Sequence, residues 1–113
     1  MSAITTHVLD VARGRAAAGV PITLAVEEAA GWRQLGQGAT DGDGRLRDLL
    51  PAGQRPEAGV YRLSFDTAAY FAAAGTESFY PVVHVVFRVA RPEEHHHVPL
   101  LLSPFGYSTY RGT

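Results

Sequence analysis

Histidine is the residue type in this sequence best suited to chemistry near neutral pH, because imidazole both accepts and donates protons there. The chain contains 5 His, and three of them are consecutive, at His95, His96 and His97. In an extended strand, His95 and His97 lie on one face and His96 on the other. Two His on one face could bind zinc, but a catalytic zinc site needs a third protein ligand, and no motif supplies one. We therefore predict no metal site, and metal analysis of the purified protein tests the alternative of a metal-binding module.

Other polar residues stand apart in a sequence that is otherwise rich in apolar, strand-like segments. His7 lies in the middle of an alternating run, and Arg45 follows an Asp-Gly turn at 41–44. Tyr110 and Arg111 place a phenol and a guanidinium among the last four residues. The alternative for this last segment is a frayed, solvated tail, which is the usual state of chain ends.

Several common site motifs are missing from the sequence. The turn at 41–44 does not continue as an EF-hand, because Arg45 stands where that loop needs an oxygen ligand and Leu46 stands where it needs Gly. No glycine-rich phosphate loop and no Gly-x-Ser-x-Gly motif occurs. The chain has 0 Cys, which excludes disulfides, a thiolate nucleophile and Cys-ligated zinc.

Composition limits the class of protein. The chain has 113 residues, of which 46% are hydrophobic and 19% charged, so we expect one globular domain over 1–113. All 10 basic residues are Arg, they are scattered, and the formal net charge is -1, which argues against nucleic acid as a partner. No apolar run approaches the roughly 20 residues that span a bilayer, and the start of the chain lacks an export signal. We therefore expect no membrane partner and a cytoplasmic location.

Short strands are the elements that must position these polar residues. An N-cap at Asp66 or Thr67, helix-forming residues at 68–74 and a stop at Gly75 predict one short helix. Short strands with turn signals between them indicate an all-β fold, an antiparallel β-sandwich. Period-two alternation or β-branched runs predict these strands at 4–9, 22–27, 32–40, 60–65, 82–89, 95–103 and 107–110.

The polar residues named above and the sequence around them make the chain resemble the transthyretin-related family, whose members act as 5-hydroxyisourate hydrolases. The resemblance covers essentially the whole chain and implies a transthyretin-like sandwich of two four-stranded sheets with one short helix. It also implies a homotetramer whose subunit interfaces hold the active sites. The blocks that carry it are 6–10, 19–21, 40–45, 76–83, 97–104 and 107–113.

The resemblance also assigns site residues. The family's His in the first strand, its Arg after the Asp-Gly turn, its His ahead of Val-Pro-Leu-Leu-Leu and the Tyr of its terminal motif would be catalytic. These are His7, Arg45, His97 and Tyr110. Substrate binding would use His7, Arg45 and Tyr110 together with the rest of the terminal motif, which is Arg111, Gly112 and Thr113.

Two departures from the family pattern are visible. Thr113 replaces the commoner Ser and keeps a hydroxyl, so it should change little. His96 stands where Tyr is expected. Because His96 would point away from the face of His97, we expect its effect to be structural.

The implied reaction is hydrolysis of 5-hydroxyisourate to 2-oxo-4-hydroxy-4-carboxy-5-ureidoimidazoline, on the route from urate to allantoin, without a cofactor. His7 and His97 would supply the general base and a proton relay, in an order that the sequence leaves open. Arg45 would bind the flat, acceptor-rich ring and oppose developing negative charge. Tyr110 would hydrogen bond the substrate or the water, and Arg111 with Thr113 would hold the terminus against a neighbouring subunit. The alternative from another class is a small-molecule carrier like transthyretin, whose channel should be lined by aliphatic side chains.

Overall fold

The computed structural model describes residues 2–113, which form nine strands and one helix. The first five strands are β1 (Ile4–Asp10), β2 (Arg15–Ala16), β3 (Pro21–Glu28), β4 (Gly31–Ala39) and β5 (Arg45–Leu46). The remaining elements are β6 (Gly59–Phe65), α1 (Thr67–Ala73), β7 (Val83–Val89), β8 (His96–Ser103) and β9 (Gly106–Thr109). None of the helical structure in residues 2–113 is long and apolar enough to cross a membrane.

The strands form two sheets. Sheet A has the order β2, β1, β8, β9, with β5 also paired to β1, and sheet B has the order β4, β3, β6, β7. This arrangement confirms the predicted all-β sandwich with one short helix. Three features go beyond the prediction, and the first is the two-residue strand β2, where no strand was predicted. The two-residue strand β5 makes sheet A five-stranded, and β1 pairs with β8 in parallel whereas the other pairings are antiparallel.

Alternation along β1 and β8 decides which side chains form the core. The even-numbered residues of both strands point between the sheets and are buried, as Val8 and Leu100 are, each 0% exposed. Because successive side chains of a strand point to opposite faces, the odd-numbered residues of both strands lie on the other face of sheet A. That outer face carries His7 and His97.

Helix α1 is attached to sheet A through a buried carboxylate. Asp66 caps the helix by accepting a hydrogen bond from the backbone N–H of Ala69 at 3.0 Å. The hydroxyl of Tyr70 donates to Oδ2 of Asp10 at 2.7 Å, and the backbone N–H of Arg13 donates to Oδ1 of Asp10 at 3.0 Å. Burial and the nearby Asp10 raise the pKa of Tyr70 to about 12, so the phenol stays protonated and keeps donating. The end of β1 is thereby fixed to the helix.

His96 is the buried polar residue whose surroundings fit it least. Its side chain points into the core and is 4% exposed, and its Nδ1 has no hydrogen-bond partner. Burial, helped by the positive charge of Arg111, lowers the pKa of His96 below its ordinary value. A buried ring nitrogen without a partner costs about 1–3 kcal/mol, so His96 should act on the stability of the fold.

His96 should make the stability of the fold sensitive to acid. Its pKa in the folded chain lies below the ordinary value of 6.5, so the unfolded chain takes up this proton first as the pH falls. The free energy of unfolding should therefore be full above that ordinary pKa and decline as the pH drops below it. Denaturant unfolding across this range, at one protein concentration, should show a smaller decline for His96→Tyr. The exposed His84 provides the control, and equal declines in wild type, His96→Tyr and His84→Tyr would contradict the prediction.

Candidate active site

The pairing of β1 with β5 and β8 gathers the predicted site residues on the outer face of sheet A. In the parallel pair of β1 and β8, Thr5 lies opposite His97. In the antiparallel pair of β1 and β5, His7 lies opposite Arg45. Paired residues share a face of the sheet, so two imidazoles, a guanidinium and a hydroxyl come from three strands to one surface.

The turn at 41–44 fixes the position of Arg45. The carboxylate of Asp41 accepts hydrogen bonds from the backbone N–H groups of Asp43 at 2.9 Å and of Arg45 at 3.0 Å. These bonds, chiefly the one from Arg45, lower the pKa of Asp41, so the carboxylate stays ionised and holds the turn. Gly44 takes a φ of +77°, a left-handed conformation that glycine adopts without strain.

His7 is oriented by the same turn. Its Nε2 lies 2.8 Å from the backbone carbonyl oxygen of Asp43. Because a carbonyl oxygen only accepts hydrogen bonds, Nε2 of His7 must carry the proton. In the neutral ring, Nδ1 is then the nitrogen with a free lone pair, available to a substrate donor or a water molecule.

A cavity of about 160 Å³ opens beside His97 on this face. Two guanidinium groups and two imidazoles in such a small space favour a ligand rich in acceptor oxygens or carrying negative charge. Side chains that line the cavity include those of Thr5, Arg45, Arg47, His95, His97 and Thr113.

The environment of His97 favours its neutral form. Burial lowers the pKa of His97, and the neighbouring Arg45, His95 and His7 lower it further. A neutral imidazole at neutral pH is able to accept a proton from water. His97 therefore has the protonation state that a general base requires.

The chain end is docked against His97. The backbone N–H of Gly112 donates to the carbonyl oxygen of His97 at 2.8 Å. Arg111 donates to Oε1 of Glu94 at 3.1 Å and to the carbonyl oxygen of His95 at 3.3 Å. A Cβ at Gly112 would lie 2.6 Å from Cδ2 of the His97 ring, so this position favours a residue without a side chain. Tyr110, in contrast, is 56% exposed.

The structure brings some of the predicted residues together more closely than others. Arg45, His97 and Thr113 meet at the cavity, and His7 lies next to Arg45 across the strand pair. The exposed Tyr110 does not line this cavity, and Arg111 anchors the tail to its own chain. No group of three or more His, Cys, Asp or Glu that could hold a metal occurs in residues 2–113.

Four residues that line the cavity were missing from the predicted site: Thr5, Thr6, Arg47 and His95. Thr5 lies two positions before His7 on the same face of β1, so the alternation of that strand was the signal that could have found it. Arg47 lies just after the end of β5 and lines the cavity together with Arg45. His95 was weighed only as a metal ligand, and the structure instead directs its Nε2 to the hydroxyl of Thr5 at 2.7 Å.

Comparison with known proteins places these features in context. A family model described as HIUase/Transthyretin family matches residues 4–112. The 5-hydroxyisourate hydrolase of Mus musculus is 47% identical over 115 residues, which cover 99% of this chain and 96% of the relative. The structure of Klebsiella pneumoniae 5-hydroxyisourate hydrolase matches with a TM-score of 0.86 and 36% identity, covering 100% of both chains. The structure of sea bream transthyretin in complex with thyroxine matches with a TM-score of 0.87 and 39% identity, covering 97% of this chain and 94% of that chain.

Replacing Gly44 should disrupt the turn that carries Arg45. A Cβ there would lie 2.4 Å from the carbonyl oxygen of Val8, and the left-handed backbone adds strain. We expect Gly44→Ala to lower the free energy of unfolding by at least about 1–2 kcal/mol, the cost of the left-handed backbone alone. Gly42→Ala in the same turn is the matched control, because nothing lies within 4 Å of a Cβ there. Denaturant unfolding measures both variants, and equal stability would show that the turn does not require Gly44.

Proposed function

The chain belongs to the HIUase/Transthyretin family, and on that premise we propose that it hydrolyses 5-hydroxyisourate to 2-oxo-4-hydroxy-4-carboxy-5-ureidoimidazoline in the degradation of urate to allantoin. The observation that carries the proposal is the cluster of His7, Arg45 and His97 on one open face of sheet A. Relatives named 5-hydroxyisourate hydrolase, such as the one from Mus musculus, support it. Cofactor independence and a cytoplasmic location, both expected from the sequence, are part of the same proposal.

Arginine supplies the binding chemistry of the proposed site. The substrate is a flat heterocycle whose carbonyl oxygens accept hydrogen bonds, and Arg45 with Arg47 presents forks of N–H donors at the cavity. As hydrolysis proceeds, negative charge develops on the carbonyl oxygen under attack. A fixed guanidinium near that oxygen stabilises the transition state more than the ground state, which is the condition for catalysis.

His97 is the general base in this mechanism. Nε2 of the neutral ring takes a proton from a water molecule as the water oxygen bonds to the substrate carbonyl carbon. The ring C–N bond of the substrate then breaks, and the same proton passes to the departing nitrogen. His7 orients the water or a substrate N–H through its free Nδ1, since its Nε2 is held by the carbonyl of Asp43. Tyr110 does not line the cavity of the single chain, so its further hydrogen bond to the substrate or the water belongs to the assembled protein.

A small-molecule carrier is the second candidate, because the sea bream transthyretin structure has the same fold and contains thyroxine. The side chains on the outer face of sheet A argue against a carrier. A carrier of a largely apolar ligand needs an aliphatic lining, whereas Arg45, Arg47 and His97 line the cavity here. Titratable groups that converge on a cavity and carry shifted pKa values, as His97 does, are typical of catalysis.

We also assign the chain to a homotetramer with active sites at subunit interfaces. Strands β7 and β9 end their sheets, which leaves backbone groups free to pair with a second copy. The aromatic patch, defined as Phe79, Tyr80, Phe105 and Tyr107, lies near β9, with Phe79 67% exposed and Phe105 65% exposed. Exposed apolar patches mark protein interfaces. A neighbouring subunit would also cover the outer face of sheet A and the exposed Tyr110.

The activity assay follows the decay of 5-hydroxyisourate, generated from urate in the cuvette, by ultraviolet absorbance. Wild type should accelerate the decay above its spontaneous rate, and His97→Asn should reduce the enzymatic rate by about 10² to 10⁴-fold, the range of general acid–base catalysis. A variant lacking residues 110–113 should also lose activity. His84→Asn, which changes an exposed His on sheet B, is the matched control and should stay active. If wild type leaves the decay unchanged, the hydrolase proposal is wrong and ligand-binding screens for a carrier come next.

The aromatic patch should control assembly. Phe79→Asp places a charge at a position that is 67% exposed in the single chain but would be buried between subunits, so the tetramer should dissociate. Sedimentation velocity measures the size, and circular dichroism confirms that the sandwich remains folded. Ala29→Asp adds the same charge at an exposed position in the turn between β3 and β4 and should leave the assembly intact. A tetramer that survives Phe79→Asp would contradict an interface at the patch.

A further inference from the structure

The hydroxyl of Thr5 lies between two imidazoles. Its Oγ1 is 2.7 Å from Nε2 of His95 and 2.8 Å from Nδ1 of His97. The two rings meet edge to face, with centroids 6.4 Å apart. Thr5 is 4% exposed although its side chain lies on the outer face of sheet A, so water does not compete readily for the hydroxyl.

A hydroxyl has one proton, and this fact couples the two rings. Thr5 can donate to only one imidazole, so the other ring must donate its own N–H to the Thr5 oxygen. Either Nδ1 of His97 donates to Thr5 while Thr5 donates to Nε2 of His95, or both bonds run in the reverse direction. The protonated nitrogen of His95 therefore depends on that of His97.

The two rings differ in how well they tolerate a positive charge. His97 is partly buried and faces Arg45 from β5 and His7 from β1, and Arg47 and Thr113 line the same cavity. His95 precedes β8 and is exposed to solvent. An imidazolium costs less where water solvates it. A path that moves charge from His97 to His95 would thus take the charge from a partly buried ring to an exposed ring that water can solvate.

We propose that Thr5 is a positioning residue that relays a proton from His97 to the solvent-exposed His95 during catalysis. This inference rests on the proposed hydrolysis and adds to it the route by which the positive charge leaves His97. Thr5 acts through its hydrogen bonds to His97 and His95.

The relay balances protons at each step. The resting rings are both neutral with hydrogen on Nδ1, so that Nε2 of His97 is free. When this Nε2 takes a proton from the attacking water, Nδ1–H of His97 passes its proton to Oγ1 of Thr5, and the Thr5 hydroxyl proton moves to Nε2 of His95. His97 is then neutral with hydrogen on Nε2, and His95 is the imidazolium. Reverse transfer through Thr5 returns a proton from His95 to Nδ1 of His97 as the Nε2 proton of His97 passes to the leaving nitrogen, and this restores the resting state.

The first experiment reads the ring protons without any substrate. Nitrogen-15 NMR of the His side chains, above the ordinary titration range of imidazole, should show hydrogen on Nδ1 of both His95 and His97 in wild type. Thr5→Val removes the hydroxyl at nearly constant shape, and both rings should then shift toward the Nε2–H form that a free histidine side chain prefers. Thr5→Ser keeps the hydroxyl and should retain the wild-type pattern. Wild-type His97 with hydrogen on Nε2, or an unchanged pattern in Thr5→Val, would overturn the relay.

The second experiment measures kcat and KM for 5-hydroxyisourate. Thr5→Val should lower kcat by about tenfold to a hundredfold, the lower part of the range for acid–base catalysis, with little change in KM. Thr5→Ser keeps the hydroxyl and should keep the wild-type kcat. His95→Phe should lower kcat as Thr5→Val does. Thr40→Val is the matched control for loss of a buried hydroxyl. Thr40 is 5% exposed, and its hydroxyl also has two partners, the carbonyl of Ala17 and the N–H of Val20.

The outcomes separate this inference from the function on which it rests. An active wild type whose Thr5→Val variant keeps its kcat would overturn the relay and leave the hydrolase proposal standing. A KM effect alone, equal in Thr5→Val and Thr5→Ser, would also overturn it, because a lost hydroxyl could not be the cause. A wild type that does not accelerate 5-hydroxyisourate decay would overturn the hydrolase proposal and the catalytic use of the relay together.

Discussion

The parallel register of β1 against β8 is the constraint on which the rest of the molecule depends. It places Thr5 opposite His97 on the outer face, while Ile4, Val8 and Leu100 enter the core. A slip of one residue in either strand would exchange the two faces. It would expose core side chains that each contribute about 1.5–3 kcal/mol by their burial. The hydrophobic core therefore enforces the geometry of the polar face, although none of its members touches that face.

The polar face combines strong positive charge with neutral imidazoles. Arg45 and Arg47 remain charged and give the cavity its preference for acceptor oxygens. Burial, together with the charge of Arg45, keeps the pKa of His97 low, so the ring is free to accept a proton. Backbone groups complete the arrangement, since the carbonyl of Asp43 fixes the ring of His7. One electrostatic environment thus serves both binding and base catalysis in the proposed reaction.

The last residues of the chain contribute to the site, and only part of their arrangement could be predicted from the sequence. The polar tail is docked rather than frayed at Gly112, because its N–H bonds to the carbonyl of His97. The resemblance singled out this segment, but the contacts that hold it could not be deduced from spacing. Arg111 binds Glu94 and the carbonyl of His95 in its own chain, whereas the expectation was a contact with a neighbouring subunit. That expectation remains a prediction about the assembled protein.

The sequence by itself determined the seven longer strands, the helix, the turn before Arg45 and which residues of each of those strands share a face. These features depend on neighbours a few positions apart, through period-two alternation, capping and turn chemistry. Only the tertiary structure decided that β1 pairs in parallel with β8, that Thr5 bridges His95 and His97, and that Nδ1 of His96 is buried without a partner. Contacts between segments so distant along the chain are selected by burial and hydrogen bonding over the whole fold, and no local pattern carries that information.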